Sequence, residues 1–172
     1  MELLIPGLIL VALMVYASTR IKKTAAQAFE PETIETDEFV IEKPEGFLHV
    51  INGDPKYAFE AYSKEYGSAG AEEVRQGTAR LHLLSSENAG HDLADFLGPS
   101  SVRLRDESEV VNGIKYRITE TKRTEKGVEL SIVSKSAEHD GRVYIFETAR
   151  LAETTPEFAR KIETMLHSFT LK

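Results

Sequence analysis

The sequence contains no cysteine and no tryptophan in 172 residues. Without thiols the fold has no disulfide staple and no thiolate metal site, and oxidising and reducing compartments both stay open to it. Basic charge is in short supply: 21 Lys and Arg stand against 28 Asp and Glu, a net charge of -7. A general nucleic-acid binder needs a basic surface for phosphate contacts, so that class is excluded. The usual signatures of catalysis are missing as well, with no G-x-S-x-G, P-loop or dinucleotide fingerprint. His49, His82, His91, His139 and His167 are scattered, without an i, i+4 pair. Neither His91-Asp92 nor His139-Asp140 has the further ligands that a metal site needs. The expectation is a protein that is not an enzyme and that takes no cofactor, no metal and no nucleic acid.

What is present is globular in balance, 41% hydrophobic and 28% charged, with the length of one domain plus an appendage. The appendage is the N-terminal run from Leu3 to Thr19, which carries no charge and ends against Arg20, Lys22 and Lys23. As a helix it would reach about 26 Å at ~1.5 Å per residue, slightly short of a hydrocarbon core of ~30 Å, a gap that snorkelling basic side chains cover. The expectation is a single membrane-spanning helix. Its anchor residues are Leu3, Leu4, Ile5, Leu8, Ile9, Leu10, Val11, Leu13, Met14, Val15 and Tyr16, and Arg20, Lys22 and Lys23 lie at the membrane interface. A cleaved signal peptide competes with this reading, since Val15-Tyr16-Ala17 resembles a cleavage site. The basic cluster follows the apolar run instead of preceding it, which favours the anchor. By the positive-inside rule it places the N-terminus outside and the domain on the cytoplasmic side of an inner or plasma membrane, the opposite orientation being the alternative.

Residues 1–29 thus read as a transmembrane helix with its juxtamembrane extension, and residues 30–37 as an acidic, solvated linker. Residues 38–172 read as the domain. Within it, Glu38 to Glu42 and Phe47 to Ile51 look like strands around the turn Pro44-Glu45-Gly46. Tyr57 to Tyr62 is ambiguous: Asp54 and Pro55 suit a helix start, whereas the alternation of Tyr57, Phe59 and Ala61 suits a strand. Ala79 to Leu84 reads as a strand and His91 to Leu97 as a short helix closed by Gly98. Asn112-Gly113, Lys126-Gly127 and Asp140-Gly141 are turn signals at regular intervals. The runs between them alternate as strands do, so this half is a β-meander. Val143 to Phe146 is apolar on both faces, as in a central strand. Thr155 as N-cap, Pro156 and Glu157 open a last helix, whose Phe158, Ile162, Leu166 and Phe169 form one apolar stripe.

A Pro44-Glu45-Gly46-Phe47 turn after the first strand, a meander containing Val111-Asn112-Gly113-Ile114, and a last helix ending Met165-Leu166-His167-Ser168-Phe169 together give an order of elements that resembles a known family. It is similar to the PsbP-like fold of photosystem II extrinsic proteins, shared with DcrB-like bacterial proteins and a Ran-binding import factor. The resemblance covers about residues 38 to 172. It implies an α+β class, a central antiparallel sheet covered by helices on its faces, and it favours the strand at Tyr57 to Tyr62. It also implies a non-catalytic accessory role.

One surface remains for a partner. Arg103 and Arg105 alternate with Val102 and Leu104, and Lys115, Arg117, Lys122 and Arg123 follow on the next strand, so that a hairpin at Asn112-Gly113 could gather these basic residues on one face. Glu107, Glu109 and Glu120 lie among them, which favours a mixed, solvated face stabilised by cross-strand ion pairs. The functional expectation is an accessory subunit of a membrane complex, photosynthetic or respiratory, whose partners are larger transmembrane subunits and membrane lipid. The alternative is a tethered module that binds a ligand or lipid on its own.

Overall fold

The computed structural model describes Met14 and residues 26–68, 70–85, 102–125 and 127–172, with backbone alone at 102 and 103. Ten strands and one complete helix lie within these residues, with Met14, Ala26 and Gln27 also helical. Seven strands form an antiparallel sheet: β3 (Phe47–His49), β4 (Tyr57–Ser63), β5 (Gly77–Ser85), β6 (Val102–Val111), β7 (Ile114–Glu125), β8 (Val128–His139) and β9 (Arg142–Leu151). Their spatial order is β3-β4-β5-β9-β8-β7-β6. A smaller sheet joins β1 (Glu32–Glu35), β2 (Phe39–Lys43) and β10 (Thr170–Leu171) in the order β1-β2-β10.

The meander of β6 to β9 forms as its turns predict. Asn112 and Gly113 have φ of 54° and 81°, and Asp140 and Gly141 have 49° and 71°. These paired left-handed residues make the tight turn whose twist matches the flanking strands. β9 takes the middle of the sheet because it is the one strand apolar on both faces, and it pairs with β8 on one side and β5 on the other. Tyr57 to Ser63 is a strand, β4, paired with β5. Burial of Phe59, Ala61 and Ser63 on one face outweighs the helix-start signal of Asp54 and Pro55.

The helix α1 (Pro156–Ser168) covers one face of the large sheet. The Thr155 hydroxyl accepts the Phe158 N–H at 3.2 Å, a cap worth ~1 kcal/mol. Ile162, Met165 and Leu166 are buried against the sheet. Gly77 allows the close approach, since a Cβ there would lie 2.5 Å from Ile162 Cδ1. Beyond α1, Phe169 is extended and buried, and it carries the chain into β10, where Thr170 and Leu171 pair with Val40 and Phe39. The Tyr116 hydroxyl accepts the Leu171 N–H at 2.8 Å and fastens this end to the large sheet.

Two expectations change. The fold class anticipated an N-terminal membrane-spanning helix and several helices over the sheet. Among the described residues the fold is mostly antiparallel sheet with one helix, and no helix is long and apolar enough to cross a membrane. The 13 residues of α1 reach only about 20 Å, and Glu157, Arg160, Lys161 and Glu163 make it one-sided. Of the expected anchor only Met14 is described, helical and 64% exposed. The rest, with Arg20, Lys22 and Lys23, lies outside the described residues, as does the helix expected at His91 to Leu97.

The second change concerns the acidic stretch, which is not a spacer throughout: Glu32–Glu35 pairs with β2 as β1. Ile34 packs on the core while Glu32, Thr33 and Glu35 stay exposed, so one apolar residue in the run is enough to tie it down. Lys43 reinforces the join, for its buried ammonium donates to the carbonyl oxygens of Glu30 and, at 2.9 Å, Phe47. Burial lowers the Lys43 pKa, against the opposing pull of Glu32 and Glu30.

Candidate functional site

The basic strip does not assemble. Arg103 sits opposite Thr121, and a bulge between Arg103 and Arg105 then sets Arg105 opposite Glu120. An extra residue in one strand reverses the alternation beyond it. Arg105 therefore belongs to the face covered by α1, while Arg103, Lys115 and Arg117 hold register positions on the far face. Arg117 forms a two-pronged pair with Asp106 at 2.8 and 2.6 Å, and Arg105 meets Glu107 at 2.7 Å. Lys115 is exposed. Arg117 with Asp106 is a cross-strand pair and Arg105 with Glu107 a pair along β6, as on a mixed surface, and each contributes little in water.

On the far face the ladders bring together a set of side chains that lie far apart in sequence. Asp106, Thr119, Ser134, Glu147, Arg80 and Glu60 stand opposite one another on β6, β7, β8, β9, β5 and β4. Side chains on successive strands at one level point to the same side, so this is one polar row across six strands. Most of its members are satisfied within the row or next to it. The Thr119 and Ser134 hydroxyls share a 2.7 Å hydrogen bond, Arg80 Nε donates to Glu60 Oε1 at 2.9 Å, and Asp106 holds Arg117.

Glu147 is the exception. Its side chain sits at the centre of the row, only 8% exposed, and it has no hydrogen bond or ion pair with any described residue. Burial raises its pKa above the ordinary glutamate value of 4.5, opposed by the positive charges of Arg123 and Arg80 and assisted by Glu125. It opens on a cavity of about 160 Å³, lined among the described residues also by Glu73 to Arg75, Thr78, Arg80, Arg123, Glu125, Leu130 and Ala149. Arg75 is fixed there by the carbonyl oxygens of Ser63 and Lys64 at 3.1 and 2.9 Å, with its guanidinium 3.9 Å from the Tyr66 ring centre. His82, one step along the same face, has its pKa lowered to about 4, first by burial and then by Arg80 and Lys56, so it is neutral at pH 7. Among the described residues no group of His, Asp and Glu could hold a metal ion.

The raised Glu147 pKa gives a pH dependence with a definite sign. The folded state binds this proton more tightly than the unfolded chain, so the associated stability is full below the ordinary value of 4.5 and is lost as pH climbs towards the folded value. Glu147→Gln removes the loss. Urea midpoints measured from pH 4 to pH 8 should show the variant gaining on the native chain as pH rises. A constant difference across that range would show that Glu147 titrates as it does in the unfolded chain.

No family model and no curated protein matches the sequence. Solved structures do. Cyanobacterial PsbP (CyanoP) from Synechocystis superposes with a TM-score of 0.57 at 12% identity over 83% of this chain and 92% of its own. LpqN of Mycobacterium tuberculosis, described as involved in cell envelope biogenesis, gives 0.57 at 7% identity over 83% and 91%. The Ran-binding protein Mog1p of Saccharomyces cerevisiae gives 0.53 at 10% over 83% and 96%. At such identities the likeness is one of fold, and it brings neither a membrane nor a photosynthetic host to this chain. The sheet, the helix across it and these likenesses agree with the resemblance drawn from the turns and the last helix: this chain has the PsbP-like fold.

Proposed function

We propose that this chain is a non-catalytic accessory protein that docks on a protein partner along strand β6. The observation that carries this is the sheet edge itself. β6 spans ten residues and, among the described strands, pairs on one side only, with β7. An open row of backbone N–H and C=O groups accepts a further strand, and flanking side chains select which. Leu104 and Val110 stand 52% and 68% exposed along it. The charges of Arg105, Asp106, Glu107 and Glu109 and the bulge after Arg103 discourage indiscriminate pairing, leaving the regular stretch around Val110 as the contact. Mog1p, with a similar fold, is a Ran-binding protein, which supports a protein partner as the kind of ligand.

The test is isolation of the tagged full-length chain from its own cells, followed by mass spectrometry of the intact complex. A stoichiometric companion is expected. Val110→Glu should reduce its recovery by about tenfold or more, since burying one valine contributes ~1.5 kcal/mol or more. The unfolding midpoint should stay put, because the position is exposed. A chain that runs alone, or a companion that the variant keeps, would overturn the proposal.

A further inference from the structure

The cavity beside Glu147 lies on the sheet face and not at its β6 edge, and it has its own chemistry. We propose that it binds a small zwitterion of the amino-acid kind, taking the ammonium on the Glu147 carboxylate and the carboxylate on the Arg123 guanidinium. Three observations carry this. First, a carboxylate more than nine-tenths buried on the central strand has no partner among the described residues. Buried polar atoms are nearly always paired, and a buried charge is costly unless it is. A bound ammonium supplies the missing donor and the opposite charge together.

Second, the cations around it differ in their commitments. Arg80 is already engaged by Glu60 at 2.9 Å and Arg75 by two carbonyl oxygens. Arg123 has only a loose contact of 3.6 Å with Glu125, so its planar fork is available for a second carboxylate. Glu147 thus offers a buried negative group and Arg123 the least committed positive group to the same space, whose other carboxylates, Glu73 and Glu125, are exposed to water, a pattern that a lone cation or a lone anion satisfies only by half. Third, the size and floor fit. The cavity of about 160 Å³ has Val74, Leu130 and Ala149 as apolar lining. At ~30 Å³ per water it displaces about five molecules, which limits the ligand to a small backbone with a short apolar side chain.

Calorimetric titration of the full-length chain with L-alanine and L-valine tests this, with alaninamide as the cation alone and propionate as the anion alone. Saturable binding of an amino acid is expected, at least tenfold tighter than either half-ligand. Glu147→Gln should abolish it while preserving a cooperative unfolding transition. Arg123→Gln should weaken the amino acids tenfold or more and leave alaninamide unchanged. Because the Arg123 side chain is 45% exposed and loosely paired, its variant folds even if the Glu147 change perturbs the sheet. No heat from any amino acid, binding that survives Glu147→Gln, or alaninamide binding as well as alanine would each overturn the proposal. None of these outcomes bears on whether a protein docks at β6.

Discussion

Phe146→Ala is expected to destabilise the chain by about 3–5 kcal/mol, a large share of the ~5–15 kcal/mol that holds a domain together. Phe146 is fully buried on the helix side of β9, the middle strand of seven. Its ring lies 5.9 Å from that of Phe59 at 64° and 5.3 Å from that of Phe169. One side chain thus joins β4 in the first half of the chain to the residue that closes α1. Removing it opens a cavity that neither neighbour can fill, because Phe59 is held in a ladder and Phe169 by the turn into β10. Equilibrium urea unfolding measures the effect, with Val110→Glu as an exposed control expected to stay within ~0.5 kcal/mol. A loss below ~1 kcal/mol would mean that the core collapses around the gap and that the three rings are not packed as described.

The elements that could be read from the sequence are those whose determinants are local. Asn112-Gly113 and Asp140-Gly141 demand left-handed backbone. Thr155, Pro156 and Glu157 start α1, and the alternation within Ile114 to Thr119 faces Tyr116 and Ile118 inward. What stayed hidden depends on pairings distant in sequence. That β5 lies against β9 follows from ladders such as Leu81 with Phe146, which no local pattern specifies. The bulge that sends Arg105 to the opposite face from Arg103 adds one residue to one strand, and strict alternation conceals it.

Glu147 was legible in part. It follows Val143 to Phe146 and precedes Thr148 and Ala149, so it is a carboxylate inside a run that reads as a central strand. Such a position is buried on either face and therefore signals a special role. The cations around it could not be found in the same way, since Arg80 and Arg123 come from β5 and β7, far from it in sequence. The N-terminal run had the opposite fault. Its apolar composition was plain, but composition alone does not establish a spanning helix, and no described helix meets that requirement.

The ion pair under α1 gives a second large effect, with an asymmetry that the geometry dictates. Lys135 is 1% exposed, in a row with Ile118, Phe146 and Leu81. Its ammonium meets Glu109 Oε1 at 2.8 Å, the His167 carbonyl oxygen at 3.3 Å and the face of the Tyr116 ring at 4.5 Å. Glu109 is 34% exposed and returns readily to water, whereas the ammonium has nowhere else to go. Removing the carboxylate is therefore the costly change. Glu109→Ala should destabilise by about 2–3 kcal/mol, less than the ~3–5 kcal/mol of a fully buried pair because the carbonyl at the negative end of α1 and the aromatic ring stay in place. Lys135→Met keeps the volume and drops the charge, so it should be neutral or stabilising by about 1 kcal/mol. Adding it to Glu109→Ala should recover most of the loss. Chemical denaturation of the two single variants and the double variant decides the matter. A Lys135→Met that costs more than Glu109→Ala would show that the pair stabilises the fold outright, and that the buried charge is not what Glu109 is there to neutralise.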